Sequence, residues 1–179
     1  MATMNSLPRK LLTLAFLVRG HAPLAASADA AAVSARVGEV LLGEKKRGFG
    51  MGKWNGFGGK VEATDASIAA AAAREIEEEA NVSVEASDLE PRGILTFTFE
   101  SGKEVLEVHV FLTTKFSGEP SESEEMKPQW FDYAAIPFQQ MWADDHIWLP
   151  HVLAGKSVRG HFHFADDELT ILNQTLEVQ

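Results

Sequence analysis

Arg74-Glu75-Ile76-Glu77-Glu78-Glu79, with Trp54-Asn55-Gly56-Phe57-Gly58-Gly59-Lys60 ahead of it, is the stretch that decides the reading of this chain. On an α-helix, side chains at i, i+3 and i+4 stand about 5–6 Å apart, so Glu75, Glu78 and Glu79 converge while Glu77 points elsewhere. Clustered anions repel one another unless a cation sits among them, and a hard divalent ion such as Mg²⁺ prefers oxygen ligands of this kind. In isolation the run would read as a solvated acidic face with Arg74 paired to Glu78. Here it follows a glycine-rich turn that lets backbone approach a ligand closely, with Lys60 as a counter-charge for phosphate. Loop and helix together are a far more specific signal than either alone.

The pair resembles the box of the Nudix family, a loop-helix-loop for divalent metal and pyrophosphate that runs from glycine through a first glutamate to Arg-Glu-apolar-x-Glu-Glu-x-Gly-apolar. Gly59, Arg74, Glu75, Ile76, Glu78, Glu79 and Val82 match it. One extra residue between Gly59 and Arg74 puts Ala66 at the first glutamate position, with Asp65 beside it; either Asp65 substitutes or the role is dispensable. Asn81 replaces the late glycine, and Asn is, after Gly, the residue that best tolerates the left-handed backbone of a helix C-cap.

Further blocks narrow the resemblance. Leu41 to Gly50, Lys53 to Val61, Val108 to Phe111, Glu124 to Pro128, Trp130-Phe131, Ile136 to Phe138 and Met141 to Asp145 are similar to the animal-type oxidised purine nucleoside triphosphatases of that family, from about residue 9 onward and excluding about 20–37. This implies an α/β/α sandwich with a mixed sheet. It also implies Mg²⁺-dependent hydrolysis, with Mn²⁺ as an alternative, of 8-oxo-dGTP and 2-hydroxy-dATP to the monophosphate and pyrophosphate, a sanitation of the nucleotide pool. The metal would lie on Glu75, Glu78, Glu79, Glu125 and the Gly58 carbonyl. One glutamate would take the proton of the attacking water; Glu79 is the first choice, with Glu78 and Glu125 left open. Substrate contacts are implied for Thr13, Lys45, Asn55, Phe57, Gly58, Gly59, Lys60, Trp142, Ala143, Asp144 and Asp145, with Trp142 stacking on the base and Asn55 bonding its edge. Thr13, Phe49, Phe97, Leu106 and Trp148 are the expected pocket walls.

Asp144 and Asp145 carry the choice of base. Two neighbouring carboxyls in a partly buried pocket resist double ionisation, so one can donate while the other accepts and together they can read altered purine edges. The plainer alternative is that Asp145 N-caps the helix that follows.

Composition sets the outer limits. The 179 residues, 45% of them hydrophobic, suit a single domain. A net charge of −10 and a pI near 5.0 argue against a general phosphate-neutralising surface, so the expected partner is a free nucleotide and not a nucleic-acid polymer. Lys45-Lys46-Arg47 is the local exception, where a polyphosphate could be steered. The chain has no cysteine, which removes disulfides and thiolate chemistry. No apolar run is long enough to span a membrane. Arg9 to Ala28 can be read as a signal peptide, but Leu11 to Val18 is equally a buried strand, and the resemblance needs one there. A monomer is expected, cytoplasmic, with mitochondrial or nuclear placement also compatible.

Expected elements are strands at 10–19 and 39–44, a helix at 67–80 capped by Ser67, a hairpin of 92–101 and 104–116, and a strand from Trp130. They continue with a short helix at 145–154, a strand at 159–164 and a last strand after the turn at 165–168. The alanine-rich segment of about 20–37 reads as a loop insertion. His161 and His163 are read as solvent-face residues opposite Phe162 and Phe164, and His109 as a strand residue, in preference to metal or base roles. Two rivals remain: a Nudix hydrolase of ADP-ribose or a dinucleoside polyphosphate, and a non-catalytic nucleotide-binding module.

Overall fold

A computed structural model describes residues 7–20 and 38–179. The insertion expected at about 20–37 lies, from His21 to Val37, outside the described residues. Strands β1 (Arg9–Arg19), β2 (Glu39–Lys45), β3 (Trp54–Asn55), β4 (Glu90–Phe99), β5 (Val105–Thr113), β6 (Met126–Asp132), β7 (Val158–Phe164) and β8 (Ile171–Val178) share one sheet with helices α1 (Ile68–Ala80) and α2 (Asp145–Leu153). The strand order is β3-β2-β1-β5-β4-β7-β8, with β6 on β2. β1 runs parallel to β5 and β4 parallel to β7, while the other pairings are antiparallel, so the sheet is mixed.

The continuous apolar run of β1 is explained by burial on both faces. Ala15, Leu17 and Phe111 meet Ala72, Ile76 and Ala80 of α1 on one side. Phe16, Val18, Leu95 and Val110 meet Trp148, Leu149 and Val152 of α2 on the other. This is the expected α/β/α sandwich. Alanines at Ala71 and Ala72 are fully buried, which lets α1 lie close to the sheet.

β6 begins at Met126, earlier than the aromatic pair Trp130-Phe131 suggests. Pro128 hides that start in the sequence, yet it is tolerated because β6 pairs with β2 alone and proline is confined to edges. Gly93, at φ 138°, sits at an irregularity in β4 where an added Cβ would fall 1.8 Å from the Val158 carbonyl oxygen.

Candidate active site

The glycine-rich loop is laced to β1. Ala15 and Phe57 exchange backbone hydrogen bonds of 2.7 and 2.9 Å, Thr13 N–H donates to Gly59 O at 2.8 Å, and Val61 N–H donates to Leu11 O at 3.0 Å. A Cβ on Gly58 would fall 1.9 Å from Thr13 O, and one on Gly59 would fall 2.6 Å from the Glu75 carboxyl carbon. Glycine at 58 is therefore a condition of the lacing, and glycine at 59 is what lets a glutamate of α1 close on the loop.

α1 starts at Ser67, whose hydroxyl accepts from Ala70 N–H at 3.0 Å, and stops at Asn81, at φ 58° and ψ 30°. Its polar face presents the three expected glutamates to different degrees. Glu79 is buried and accepts from Gly58 N–H at 3.0 Å and from Lys45 Nζ at 3.3 Å. Glu75 accepts from Arg74 at 2.9 Å; the same guanidinium lies 3.3 Å from Glu78, which is largely exposed. Glu125 comes in from the loop before β6 and accepts from Lys45 at 3.2 Å and Arg47 at 2.9 Å. The four glutamates line one depression.

Burial pushes the Glu79 pKa up to about 7, against the lowering effects of Gly58 N–H and Lys45. Burial also raises Glu75, partly offset by Arg74. Glu125 is lowered by Arg47 and Lys45. For Lys45 burial opposes the charge, but Glu79 and Glu125 outweigh it and the pKa is raised. Among the described residues no three carboxylates are gathered at ligating distances from a single point. The donor set is nonetheless all oxygen and anionic, and a cationic ammonium already bridges two members of it, so the residues suit a hard divalent ion.

Asp65, and not Ala66, meets Arg74: its two carboxylate oxygens accept from Nε and Nη2, each at 3.0 Å. This fork holds Asp65 below the usual carboxylate range. The extra residue in the box is absorbed by the turn before Ser67, where Glu62 N–H also donates to Asp65 at 2.8 Å.

Next to the glutamates opens a cleft of about 1260 Å³. Lys45, Gly58, Gly59, Lys60 and Glu125 line it together with Thr13, Asn55, Phe49, Phe97, Leu106, Trp142, Asp144, Asp145 and Trp148. Phe57 and Ala143, expected among the substrate contacts, are not among its walls. The paired bonds between Ala15 and Phe57 send the Phe57 side chain, fully buried, into the core beneath α1. Ala143 packs on the α2 side of the core. Sequence reasoning had no substrate role for Lys53, which does line the cleft.

At the deep end both aspartates are 2% exposed. Asp144 occupies the N-cap position of α2 without a side-chain cap bond. Its Oδ2 accepts from Trp148 Nε1 at 2.7 Å, and Asp145 Oδ2 accepts from Trp142 N–H at 3.0 Å. The capping alternative for Asp145 thus fails. Burial lifts Asp144 to about 6, with Trp148 and His146 pulling it down. Burial and then Asp144 push Asp145 well above the usual range, against Trp142 N–H and Lys53. Trp142 is stacked by Phe49 at 4.8 Å between centroids, and Lys53 Nζ stands 5.0 Å from its ring centre. Asn55 Oδ1 accepts from Gly56 N–H at 2.8 Å, which leaves its amide N–H groups without a protein partner among the described residues.

His161 and His163 lie outside the cleft, bonded to the Thr96 and Thr98 hydroxyls, and His109 pairs with Glu107 at 3.0 Å.

The NUDIX domain model matches residues 23–152. The chain is 48% identical over 142 residues to an oxidized purine nucleoside triphosphate hydrolase of Danio rerio, covering 79% of this chain and 89% of that protein. It is 47% identical over 137 residues to the protein of the same name from Mus musculus, covering 76% and 85%. A mutator MutT protein from Bacillus halodurans superposes with a TM-score of 0.73 at 27% identity, covering 94% of this chain and 97% of the other.

Proposed function

This chain belongs to the Nudix family, and we propose that it hydrolyses oxidised purine nucleoside triphosphates such as 8-oxo-dGTP and 2-hydroxy-dATP to the monophosphate and pyrophosphate. It is a hydrolase, and its substrate is a small nucleotide. The observation that carries the reading is the pair of buried, adjacent carboxyls, Asp144 and Asp145, spent on no helix cap and facing the cleft that Glu125, Lys45 and Gly58 also line.

A purine entering this cleft meets Trp142 and Phe49 as aromatic walls and the Asn55 amide at its edge. With Asp144 the readier of the two to ionise, one carboxyl accepts and the other donates, so the pair can match a mixed donor–acceptor edge of an oxidised purine. Lys45 and Lys60 take the phosphate chain at the glycine loop. Mg²⁺, or Mn²⁺ in its place, would be held by Glu75, Glu78, Glu79, Glu125 and the Gly58 carbonyl and would neutralise triphosphate charge and orient the attacking water. Glu79, buried beside the glycine loop, is the first choice to take the water's proton. The Gly58 N–H and the Lys45 ammonium fix its two oxygens.

The fork between Asp65 and Arg74 supports the catalytic reading over a non-catalytic module, since it gives the box an acid beside Ala66. We propose further that residues 1–179 act as one domain and as a monomer; among the described residues no helix is long and apolar enough to cross a membrane.

Turnover of 8-oxo-dGTP, 2-hydroxy-dATP, dGTP and ADP-ribose, with and without Mg²⁺, tests the reading. The two oxidised triphosphates should be converted with higher kcat/KM than dGTP, and only with metal. Preference for ADP-ribose would overturn it.

A further inference from the structure

The run Lys45-Lys46-Arg47, whose charge suggests a place to steer a polyphosphate, is divided by the fold between two tasks. Lys45 and Arg47 reach metal-facing carboxylates: Lys45 Nζ stands 3.3 Å from Glu79 and 3.2 Å from Glu125, and Arg47 donates to Glu125 at 2.9 Å. Lys46 instead holds the backbone behind Glu125. Its Nζ donates to Ser123 O at 2.7 Å, its N–H donates to Glu125 O at 2.8 Å, and the acid it pairs with, Glu122 at 2.8 Å, is outside the metal-facing set. Ser123 in turn closes the bend that delivers Glu125: its hydroxyl accepts from Glu125 N–H at 3.2 Å and from Met126 N–H at 3.0 Å.

The same β2–β3 connection, residues 46–53, grips the base pocket at its far end. Phe49 stacks on the Trp142 ring at 4.8 Å, Lys53 Nζ stands 5.0 Å from its centre, and a Cβ on Gly50, at φ 79°, would fall 3.1 Å from it. Between these ends the connection is folded back on itself: Met51 N–H donates to Gly48 O at 3.1 Å, Lys53 N–H to Gly50 O at 3.0 Å and Gly52 N–H to Lys45 O at 2.8 Å. One compact segment thus touches both the ring on which a purine would stack and the bend that carries a metal-facing glutamate. Its tip is exposed at Phe49 and Met51, so its own turns and these two anchorages are what order it. Two ligands whose sites share such a segment each lower the cost of ordering it for the other.

We propose that Lys46 is a positioning residue for Glu125, and that through it the β2–β3 connection makes base binding and metal binding favour one another. This rests on the reading of the cleft as an oxidised-purine site. A base held on Trp142 fixes the connection, the connection fixes the bend at Ser123, and Glu125 is presented without further ordering; by linkage, a bound metal readies the connection for the base. The sign of the effect separates this from plain electrostatics. Removing a lysine charge beside a cluster of acids should tighten cation binding, whereas removing the tie should weaken it.

Mn²⁺ binding to the full chain, followed by electron paramagnetic resonance, tests it without turnover. With no nucleotide present, Lys46→Met should weaken Mn²⁺ binding about two- to fivefold, the range of an exposed tie. Lys46→Arg, which keeps a donor for Ser123 O, should restore the wild-type affinity. Saturating 8-oxo-deoxyguanosine, a nucleoside with no phosphate to touch the metal, should tighten Mn²⁺ binding about three- to fivefold in the wild type, the low end of coupling between sites. In Lys46→Met that gain should be lost. Equal or tighter Mn²⁺ binding by Lys46→Met without nucleoside overturns the positioning role. A wild-type affinity that the nucleoside leaves unchanged, or a gain kept in full by Lys46→Met, overturns the linkage. If calorimetry shows that the nucleoside does not bind at all, the reading of the cleft fails by itself, and the Mn²⁺ affinity of Lys46→Met still decides the role of Lys46.

Discussion

At the scale of single residues, Glu79 and Asp65 carry the sharpest expectations. Glu79→Gln keeps volume and an acceptor for Gly58 N–H while removing the charge that faces Lys45. It should retain the fold by circular dichroism and lose about 10²-fold or more of kcat. Protons and metal compete for this carboxyl, whose folded pKa lies near 7. The Mg²⁺ concentration for half-maximal rate should therefore rise as pH falls from about 8 to about 6, and a flat dependence in a Mg²⁺ titration at several pH values would count against the assignment. Asp65→Asn weakens the fork to Arg74, which also bonds Lys60 O at 3.1 Å. Since Arg74 is partly exposed, a small but measurable loss of stability in urea unfolding is expected. A loss near zero would show that Arg74 is held by its glutamates alone.

At the scale of elements, the end of α1 shows how a departure from the family pattern is absorbed. Asn81 holds the left-handed cap, and its Nδ2 also donates to Ser121 O and Glu122 O at 3.3 Å each, tethering the loop that delivers Glu125. Glycine at this position would keep the backbone and lose the tether. Asn81→Gly should change thermal stability little, within about 1 kcal/mol, but raise the Mg²⁺ needed for half-maximal rate. Asn81→Ala should cost about 1–2 kcal/mol in addition, from the strained backbone. Equal Mg²⁺ requirements in wild type and Asn81→Gly would remove the tether's role. The helix itself was legible because its caps and apolar spacing are local. The two-residue β3 was not, because Trp54 and Asn55 become a strand only by lying against Glu44 and Gly43.

For the whole molecule, the buried acid pair couples function to stability. Asp144, at about 6 in the folded protein against an ordinary 3.8, binds its proton more tightly folded than unfolded, and Asp145 shifts the same way. Their contribution is therefore fully present below about pH 4; that of Asp144 is lost as pH rises through about 6, and that of Asp145 as pH rises through its own raised pKa. Relative to wild type, the double variant Asp144→Asn, Asp145→Asn should gain thermal stability as pH is raised from about 4 to about 8, measured as the difference in Tm at each pH. A difference that is constant with pH would mean that the pair is not buried as described. The sequence by itself determined the loop and helix of the box and the succession of strands and helices behind the layered α/β/α architecture, because hydrophobic period, glycine and caps act over a few neighbouring positions. It also marked Thr13, Asn55, Trp142 and the two aspartates, through blocks that resemble a family. Only the tertiary structure decided that Asp65 forks to Arg74, that Phe57 turns into the core, that Asp145 caps no helix and that Lys53 faces Trp142. Each of those depends on where separate segments meet: the side of β1 on which the glycine loop is laced, and the distance from the β2–β3 connection to the start of α2. Spacing along the chain does not encode such distances, because they are set by how the sheet brings remote strands side by side.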